Sequence, residues 1–584
     1  MLNKKKYHKI YLTTVIILII VLGGILPNVS GSFFNNNMQH IISKKDFDTG
    51  IQSYGIIEHN IIITSSLLYN VARELEDFHD NNGISTKVIN TTWIDENINE
   101  APSPKYAGYS NRLIPRLLVK NYDFSLSKKI INFLRDEDLH PALEYVTILG
   151  DAAIVPPSYY IHSRGRMSSR ILRYIKIPDL YNNIVPTDFF YTSPDYNLNP
   201  DFKVGRISVS NSDEASTVIN KIKNWRENKN FEWFKNINVA GDQPNLLEEI
   251  NLRGSYAGEL IAVDAINQNY FYSMNINKLF WTENKFNKNE ILTELENGNA
   301  GFMYMMAHGY VDRWGTYKEQ DPFIYANDIL EFPENINIPV IVSVACMAGA
   351  FDTDLICASG LEKGTKSLGE AFLLSQGAGI AYVGTSRATL GSPLLHLDNG
   401  QVVITKERGI AGMLTYFFEA YKNGETYLGD LTLSAIQRYI NENNFPSKPE
   451  KENDFIVLAS FVLLGDPALD IPPYTLNNFD SPYKQPEITV INPEGNTSEE
   501  FSRPWYYIDK EIELNIESDS PYVYLKLIDI DTDTVVEREK YFPRNGSFSY
   551  KFTSHEPTEY LIRAESADGK ESWLYLTTIE KDSC

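Results

Sequence analysis

The ten residues AGFMYMMAHG (300–309) decide the fold when they are read together with IPVIVSVAC (338–346). Both stretches begin with a short, continuously apolar run, which is typical of a strand buried on both faces of a parallel sheet. One run ends just before His308, and the other ends just before Cys346, 38 positions further along the chain. That interval is long enough for the crossover that joins two parallel strands. The sequence therefore predicts that an imidazole and a thiol lie side by side at one edge of a sheet.

An imidazole beside a thiol has a definite chemistry. The thiolate is the reactive form of cysteine, and an adjacent imidazole favours that form and can later return the proton to a leaving amine. This is the chemistry of a cysteine peptidase. The alternative is a structural cysteine, because a buried Cys is usually an inert small hydrophobe. The placement favours catalysis, because His308 and Cys346 both precede Gly-containing loops whose backbone amides can bind an oxyanion.

Several short motifs flank this pair in a fixed order. Those in the second half of the chain are AHG (307–309), RWG (313–315), VACMAGAF (344–351), SLGEAF (367–372) and LGDPAL (464–469), and those in the first half are TILGD (147–151), PTDFFY (186–191) and VGRISV (204–209). Together they resemble the gingipain-type cysteine peptidases, which are relatives of caspases and legumains, over about residues 55–472. The resemblance implies that Cys346 is the nucleophile and His308 the general acid/base. We place the oxyanion site at the amides of Gly309 and Cys346.

The order of the predicted elements gives the domain organisation. A chain of 584 residues is too long for one core. Strands and helices alternate up to about residue 473, which predicts an α/β domain with a parallel sheet. The resemblance implies that this domain is caspase-like and has two half-domains, which we place at residues 40–235 and 236–473. The pattern then changes to alternating half-buried strands, and this predicts an immunoglobulin-like β-sandwich over residues 486–580.

The N-terminal residues 1–31 have the pattern of an export signal. Four lysines among the first nine residues precede the apolar run 10–26, and a break with small residues follows. An uncleaved membrane anchor is the alternative, because the run is at the lower length limit for a membrane span. Both predictions place the chain outside the cell or at the cell surface. The three cysteines, Cys346, Cys357 and Cys584, give no disulfide framework.

Charge and composition limit the partners and cofactors. The net charge of −23 repels phosphate backbones and argues against nucleic acid. The predicted partners are protein or peptide substrates, the only predicted membrane contact is through an uncleaved N-terminal segment, and the chain is predicted to be a monomer. No cofactor or catalytic metal is expected, although the family resemblance implies that structural calcium can occur. The acidic run 529–533 does not fit an EF-hand, because Thr534 and Lys540 stand where that loop needs Gly and Glu.

Three residues are candidates for substrate binding. The resemblance implies that Asp188, in PTDFFY, holds the guanidinium of a P1 arginine; an ordinary turn residue is the alternative. Leu390 stands where arginine-specific members carry a tryptophan that lies against the substrate side chain. Trp314 follows His308 closely and could shape the cleft, and buried core mass is the alternative. Asp151 and Asp179 are candidates for the group that orients His308, whereas Glu370 is interpreted as a charge at a helix start.

These observations predict an exported cysteine endopeptidase that works through a Cys-His dyad and a thioester acyl-enzyme, with a preference for basic P1 residues. One alternative is a sortase-like transpeptidase of exported proteins, which would share the acyl-enzyme and differ in the acceptor. Another alternative is a catalytically silent surface-adhesion protein that keeps the fold.

Overall fold

The computed structural model describes most residues between 58 and 581. The described ranges are 58–102, 123–136, 138–161, 184–227, 230–242, 258–271, 274–316, 322–356, 361–389, 395–398, 401–404, 409–443, 452–473, 483–496, 503–532 and 534–581. The predicted signal segment 1–31 lies outside these ranges.

Strands and helices alternate through most of the described residues between 58 and 473, as the sequence predicts. The strands are β1 Asn60–Thr64, β2 Thr86–Asn90, β3 Tyr145–Leu149, β4 Ser158–Ile161, β5 Ile184–Thr187, β6 Lys203–Ile207, β7 Asn236–Gly241, β8 Asn275–Phe280, β9 Phe302–Met306, β10 His308–Tyr310, β11 Arg313–Gly315, β12 Pro322–Tyr325, β13 Val340–Val344, β14 Ala381–Thr385, β15 Leu395–Asp398, β16 Gln401–Ile404 and β17 Phe461–Leu464. The helices are α1 Tyr69–Asn81, α2 Thr91–Asn97, α3 Phe124–Leu134, α4 Phe189–Thr192, α5 Ser212–Glu227, α6 Glu259–Asn267, α7 Lys288–Asn297, α8 Ala326–Leu330, α9 Leu368–Leu374, α10 Gly409–Lys422, α11 Leu428–Glu442 and α12 Glu452–Ser460, with short 3-10 helices at Glu232–Lys235 and Trp281–Glu283.

One large sheet carries the site. Its ten strands run in the order β2-β1-β3-β6-β17-β14-β13-β9-β7-β8. Neighbouring strands are parallel except β14 and β17, which are antiparallel. Every residue of β9 and β13 is buried, which explains why both sequences are continuously apolar.

The two predicted half-domains contribute strands to this same sheet. β6 of the first half pairs with β17 of the second, where Arg206 lies opposite Leu464. The predicted boundary near residue 235 therefore falls within one continuous sheet. Residues that follow strands of the two halves also meet, because the amide of Ala152, after β3, donates to the carbonyl oxygen of Phe351, after β13, at 3.4 Å.

The C-terminal region is built from two sheets, whose strands are antiparallel except where β20 pairs in parallel with β26. Its strands are β18 Glu487–Ile491, β19 Gly495–Asn496, β20 Pro504–Tyr507, β21 Glu511–Glu517, β22 Val523–Asp529, β23 Thr534–Tyr541, β24 Ser547–Thr553, β25 Thr558–Ser566 and β26 Glu571–Ile579. One sheet has the order β18-β21-β24 and the other contains β23, β22, β25 and β26, with β20 beside β26. Side chains from both sheets share one apolar core, which includes Leu514 of β21 and Leu525 of β22. The alternation of buried and exposed residues along β21 matches the predicted period of two.

Several contacts between described residues join the C-terminal sheets to the preceding part of the chain. The β15–β16 hairpin, which follows β14, pairs with β26 at Gln401 and Leu574. At the β8 edge of the large sheet, Lys278 donates to Glu565 and Glu571 at 2.6 and 2.5 Å. Across residues 58–581, outside the gaps given above, no helix is long and apolar enough to cross a membrane.

Candidate active site

His308 and Cys346 lie at the carboxyl ends of two neighbouring parallel strands. β9 and β13 pair in register, with Met306 opposite Val344. Each of the two residues follows its strand by two positions, so both reach the same edge of the sheet. His308 begins β10, which turns back as a hairpin with β11. The predicted placement of the imidazole and the thiol at one sheet edge is confirmed.

Gly309 brings the His308 hairpin into direct contact with the Cys346 backbone. A Cβ atom added at Gly309 would lie 2.0 Å from the carbonyl oxygen of Cys346 and 2.7 Å from its nitrogen. Both distances are too short for any side chain, so only glycine fits at this position. The backbones of the two residues predicted to bind the oxyanion are therefore adjacent, and the oxyanion role itself stays a prediction.

The Cys346 side chain is half-buried beside the segment that follows β14. Its Sγ donates to the carbonyl oxygen of Thr389 at 3.5 Å. Burial raises the pKa of the Cys346 thiol above its ordinary value. The following residue, Met347, has a φ of 57°, a left-handed conformation that is uncommon outside glycine. The chain thus makes a sharp turn directly after Cys346.

Trp314 belongs to β11 of the hairpin, and its side chain is buried in the core and does not line a cleft. Its side chain is 0% exposed, its Nε1 donates to Ser343 Oγ at 3.1 Å, and its ring packs against Phe372. A fully buried indole cannot contact substrate, so the predicted role of Trp314 in shaping the cleft is not supported. The structure instead assigns it the alternative role, that of core mass that supports β10 and β11.

Asp188 is committed to a buried ion pair. Both of its carboxylate oxygens accept from Arg206, which donates from Nε and Nη2 at 2.7 Å in each case. The Asp188 side chain is only 10% exposed, and Arg206 is fully buried. Such a bidentate pair already satisfies the carboxylate. This geometry favours a structural role, and a contact of Asp188 with a P1 guanidinium would require Arg206 to give way.

The remaining candidates differ in what the structure says about them. Leu390 and Asp179 lie outside the described residues. Asp151 follows β3 and caps its own turn, accepting from the amides of residues 153 and 154 at 3.0 and 3.1 Å. Its predicted role in orienting His308 stays a prediction. Glu370 is buried and forms a capping box with Ser367 at the start of α9, which confirms its predicted position at a helix start. Burial raises the pKa of its carboxyl to about 7, which opposes the predicted charge.

The sequence reasoning missed two buried residues near Cys346 in the fold, Arg387 and Asp352. Arg387 follows β14, and its Nη2 donates to Asp352 Oδ2 at 2.7 Å, with both side chains 0% exposed. Tyr159 also donates to Asp352, at 3.1 Å. The available signal was a lone arginine just past an apolar strand, as in VGTSRAT (383–389). A cation in that position is buried only when it is paired.

A structural metal has no obvious site among the described residues. No group of three or more His, Cys, Asp or Glu side chains there is arranged to hold an ion.

Comparison with known proteins places the chain in a family. The profile of Peptidase family C25 matches residues 57–472. An uncharacterized protein of Archaeoglobus fulgidus is 30% identical over 410 residues, which cover 67% of this chain and 90% of that protein. Among solved structures, the Arg-specific cysteine proteinase gingipain R covers 91% of this chain and 100% of its own, at 15% identity and a TM-score of 0.48. The complex of the RgpB pro- and mature domains from Porphyromonas gingivalis covers 89% of this chain and 100% of its own, at 13% identity and a TM-score of 0.49.

The fold is an α/β sheet with a histidine and a cysteine at the ends of neighbouring strands. This arrangement is that of a cysteine-type peptidase. The chain belongs to peptidase family C25, the gingipain family, and is a cysteine-type peptidase. The family resemblance predicted from the sequence motifs is confirmed.

Proposed function

We propose that the chain is an endopeptidase in which Cys346 is the nucleophile and His308 carries the proton. The observation that carries this proposal is the contact between Gly309 and the Cys346 backbone, because it fixes the His308 hairpin against the turn that begins at Cys346. Burial raises the pKa of the thiol, so the thiolate forms when a neighbouring base accepts its proton.

The proposed reaction has two stages. Cys346 Sγ attacks the scissile carbonyl carbon, and the negative charge on the carbonyl oxygen is stabilised by the amides of Gly309 and Cys346. The C–N bond then breaks, and the leaving amine takes its proton from the imidazolium of His308. The resulting thioester is attacked by water, which gives its proton to His308 and releases the acid and the free thiol.

The finer parts of the proposal rest on the sequence and on the pairing of strands in the C-terminal sheets. The pattern of residues 1–31 supports export, to the cell surface or beyond. The pairing of β18, β21 and β24 in one sheet and of β23, β22, β25 and β26 in the other supports an immunoglobulin-like sandwich. Because His308 and Cys346 belong to one chain, a monomer suffices for activity. A basic P1 preference stays a prediction. Its support was the position of Asp188 in the sequence, and the ion pair of Asp188 with Arg206 weakens that support.

Substitution of the dyad tests the proposal. Cys346→Ala and His308→Ala should each lower peptide hydrolysis by about 10⁴-fold or more, because a catalytic dyad acts as a unit. Circular dichroism should show an unchanged fold. Retention of full activity in the Cys346→Ala variant would show that another nucleophile acts.

The same purified protein can distinguish hydrolysis from transpeptidation. We expect that added hydroxylamine intercepts the thioester without being required for turnover, because water is the proposed acceptor. Cleavage that depends on an added amine would instead indicate a transpeptidase. Failure of an electrophilic peptide to label Cys346 would indicate a catalytically silent protein.

A further inference from the structure

We propose that Arg387 is a positioning residue that holds the turn after Cys346 in the conformation needed for catalysis. This inference rests on the proposed function, because it concerns the geometry of that nucleophile. Arg387 does not touch the reacting atoms. It acts through the backbone of the nucleophile turn, which we define as residues 346–352.

The main chain around Arg387 runs along the first part of the nucleophile turn. The carbonyl oxygen of Arg387 accepts from the amide of Met347 at 3.3 Å. Two residues earlier, the Thr385 carbonyl oxygen accepts from Gly349 at 2.9 Å, and two residues later the Thr389 carbonyl oxygen accepts from Cys346 Sγ at 3.5 Å. The segment 385–389 therefore lies against the turn on both sides of Arg387.

The Arg387 side chain reaches the other end of the same turn. Its guanidinium donates from Nη2 to Asp352 Oδ2 at 2.7 Å and from Nε to the carbonyl oxygen of Ile184 at 3.0 Å. Nη1 donates to the Ser386 carbonyl oxygen at 2.9 Å. One residue thus fixes the start of the turn through its main chain and the end of the turn through its side chain, and it ties both to β5.

The turn needs such support because its backbone is strained. Met347 has a φ of 57°, and non-glycine residues keep such a conformation only when the surroundings impose it. The carbonyl oxygen of Cys346 accepts from the Ala348 amide at 2.6 Å, which shows how tight the turn is. A relaxed turn would move both the Cys346 amide and Sγ relative to the His308 hairpin. Rates are sensitive to such shifts, since a misplacement of about 1 Å can cost about 100-fold.

Only an arginine can make these contacts together. Its planar fork donates in several fixed directions, whereas a lysine ammonium on a flexible stem cannot bind Asp352, Ile184 and Ser386 at once in this geometry. Arg387→Lys therefore keeps the buried charge opposite Asp352 and removes the geometric constraint. Arg563→Lys is a matched control. Like Arg387, Arg563 is buried and is paired with a carboxylate, Glu571, but it lies in the C-terminal region.

The experiment measures turnover for each intact nucleophile. All proteins carry Cys357→Ser and Cys584→Ser, so that Cys346 is the single thiol and iodoacetamide labelling counts the active sites. A quenched-fluorescent peptide chosen from a library screen with the wild type is the substrate. We expect Arg387→Lys to lower kcat per labelled site by about 10- to 100-fold. We expect KM to change by less than about threefold, and the iodoacetamide labelling rate to fall less than kcat per labelled site, because alkylation needs the thiolate but no oxyanion site. The Arg563→Lys control should keep kcat per labelled site within about twofold.

Three results would overturn the inference. One is a kcat per labelled site in Arg387→Lys that stays within about twofold of the wild type, and another is an equal fall in the Arg563→Lys control. The third result concerns a second variant, which is used if Arg387→Lys does not fold. Asp352→Asn keeps the shape of the acceptor and should lower kcat per labelled site by about 3- to 10-fold. An unchanged kcat in that variant would contradict the proposal. A wild type that labels at Cys346 but does not hydrolyse peptides would refute the proposed function instead, so the two failures are distinguishable.

Discussion

Buried arginines stabilise two distant parts of this molecule in different ways. Beside the nucleophile turn, Arg206 and Arg387 each bind one carboxylate and complete their hydrogen bonds with backbone carbonyl oxygens. At the contact between β8 and the C-terminal sheets, Arg563 and Lys278 share Glu571. Carbonyl oxygens fix the positions of particular segments, whereas shared carboxylates balance charge across a contact. Changes at the first place should therefore alter rates as well as stability, whereas changes at the second should alter stability alone.

The C-terminal contact is a network of several charges. Lys278 also binds Glu565, and Lys526 and Arg563 both approach Glu283 at 3.5 Å. Burial opposes the ionisation of Glu571, but the charges of Arg563 and Lys278 more than offset it and lower the pKa of that carboxyl to about 2. A single neutral substitution in this network leaves two buried cations with fewer partners.

The largest effect is expected at the centre of this network. Glu571→Gln should lower the free energy of unfolding by about 3–5 kcal/mol, because it removes the carboxylate that Lys278 and Arg563 share and leaves these buried cations with fewer charged partners. Urea unfolding followed by fluorescence measures the change. Glu511→Gln is the control, since its partner Lys551 and Glu511 itself are exposed, and it should cost about 0–1 kcal/mol. Equal losses in the two variants would contradict the distinction between the two places.

The next effect should be on rate and not on stability. Gly309→Ala should lower kcat by about 10²- to 10³-fold, because its Cβ would overlap the Cys346 carbonyl oxygen and displace the hairpin from the nucleophile turn. Peptide hydrolysis measures the change. Gly315→Ala in the same hairpin is the control, because its Cβ would meet only the ring edge of Tyr310 at 3.0 Å, which can shift. If both variants kept wild-type rates, the hairpin contact would not matter for catalysis.

A pH dependence should come from Glu259, which lies near Arg563. Burial raises the pKa of Glu259 from 4.5 to about 7, with Arg563 only partly opposing it. The folded chain then keeps a proton that the unfolded chain has lost, so stability falls as the pH rises from about 5 to 7, by on the order of 2 kcal/mol. Glu259→Gln should remove this contribution. Denaturant midpoints across that pH range, compared between wild type and variant, test it; parallel curves would show that Glu259 does not titrate there.

The smallest effect is expected on substrate choice. Asp188→Asn should change the ratio of kcat/KM for P1 Arg over P1 Asn by less than about threefold, because Asp188 holds Arg206 and not the substrate. The same variant should be less stable, since Arg206 stays buried without its charged partner. Rates on P1 Arg, Lys, Asn and Asp peptides measure the ratio. A selective loss of about tenfold or more on basic peptides would restore the substrate-binding role inferred from the sequence.

The sequence predicted the parts of the fold that depend on local pattern. The apolar runs before His308 and Cys346 require strands buried on both faces, and two such strands joined by a crossover are parallel, so the common edge of the sheet followed directly. The alternation in β21 likewise required a sheet with one buried face. In contrast, the pairing of β6 with β17 joins residues more than 250 positions apart, and no local pattern encodes it.

The site divides in the same way. The sequence by itself pointed to His308, Cys346 and Gly309, because their residue types and their positions after apolar strands already suggest a chemistry. Only the tertiary structure decided that Trp314 is buried, that Asp188 pairs with Arg206 and that Arg387 pairs with Asp352. A charged or aromatic residue looks the same in the sequence whether its side chain faces the substrate or the core. Its role depends on which distant partner satisfies it, and that partner is brought into contact only when the whole sheet has formed.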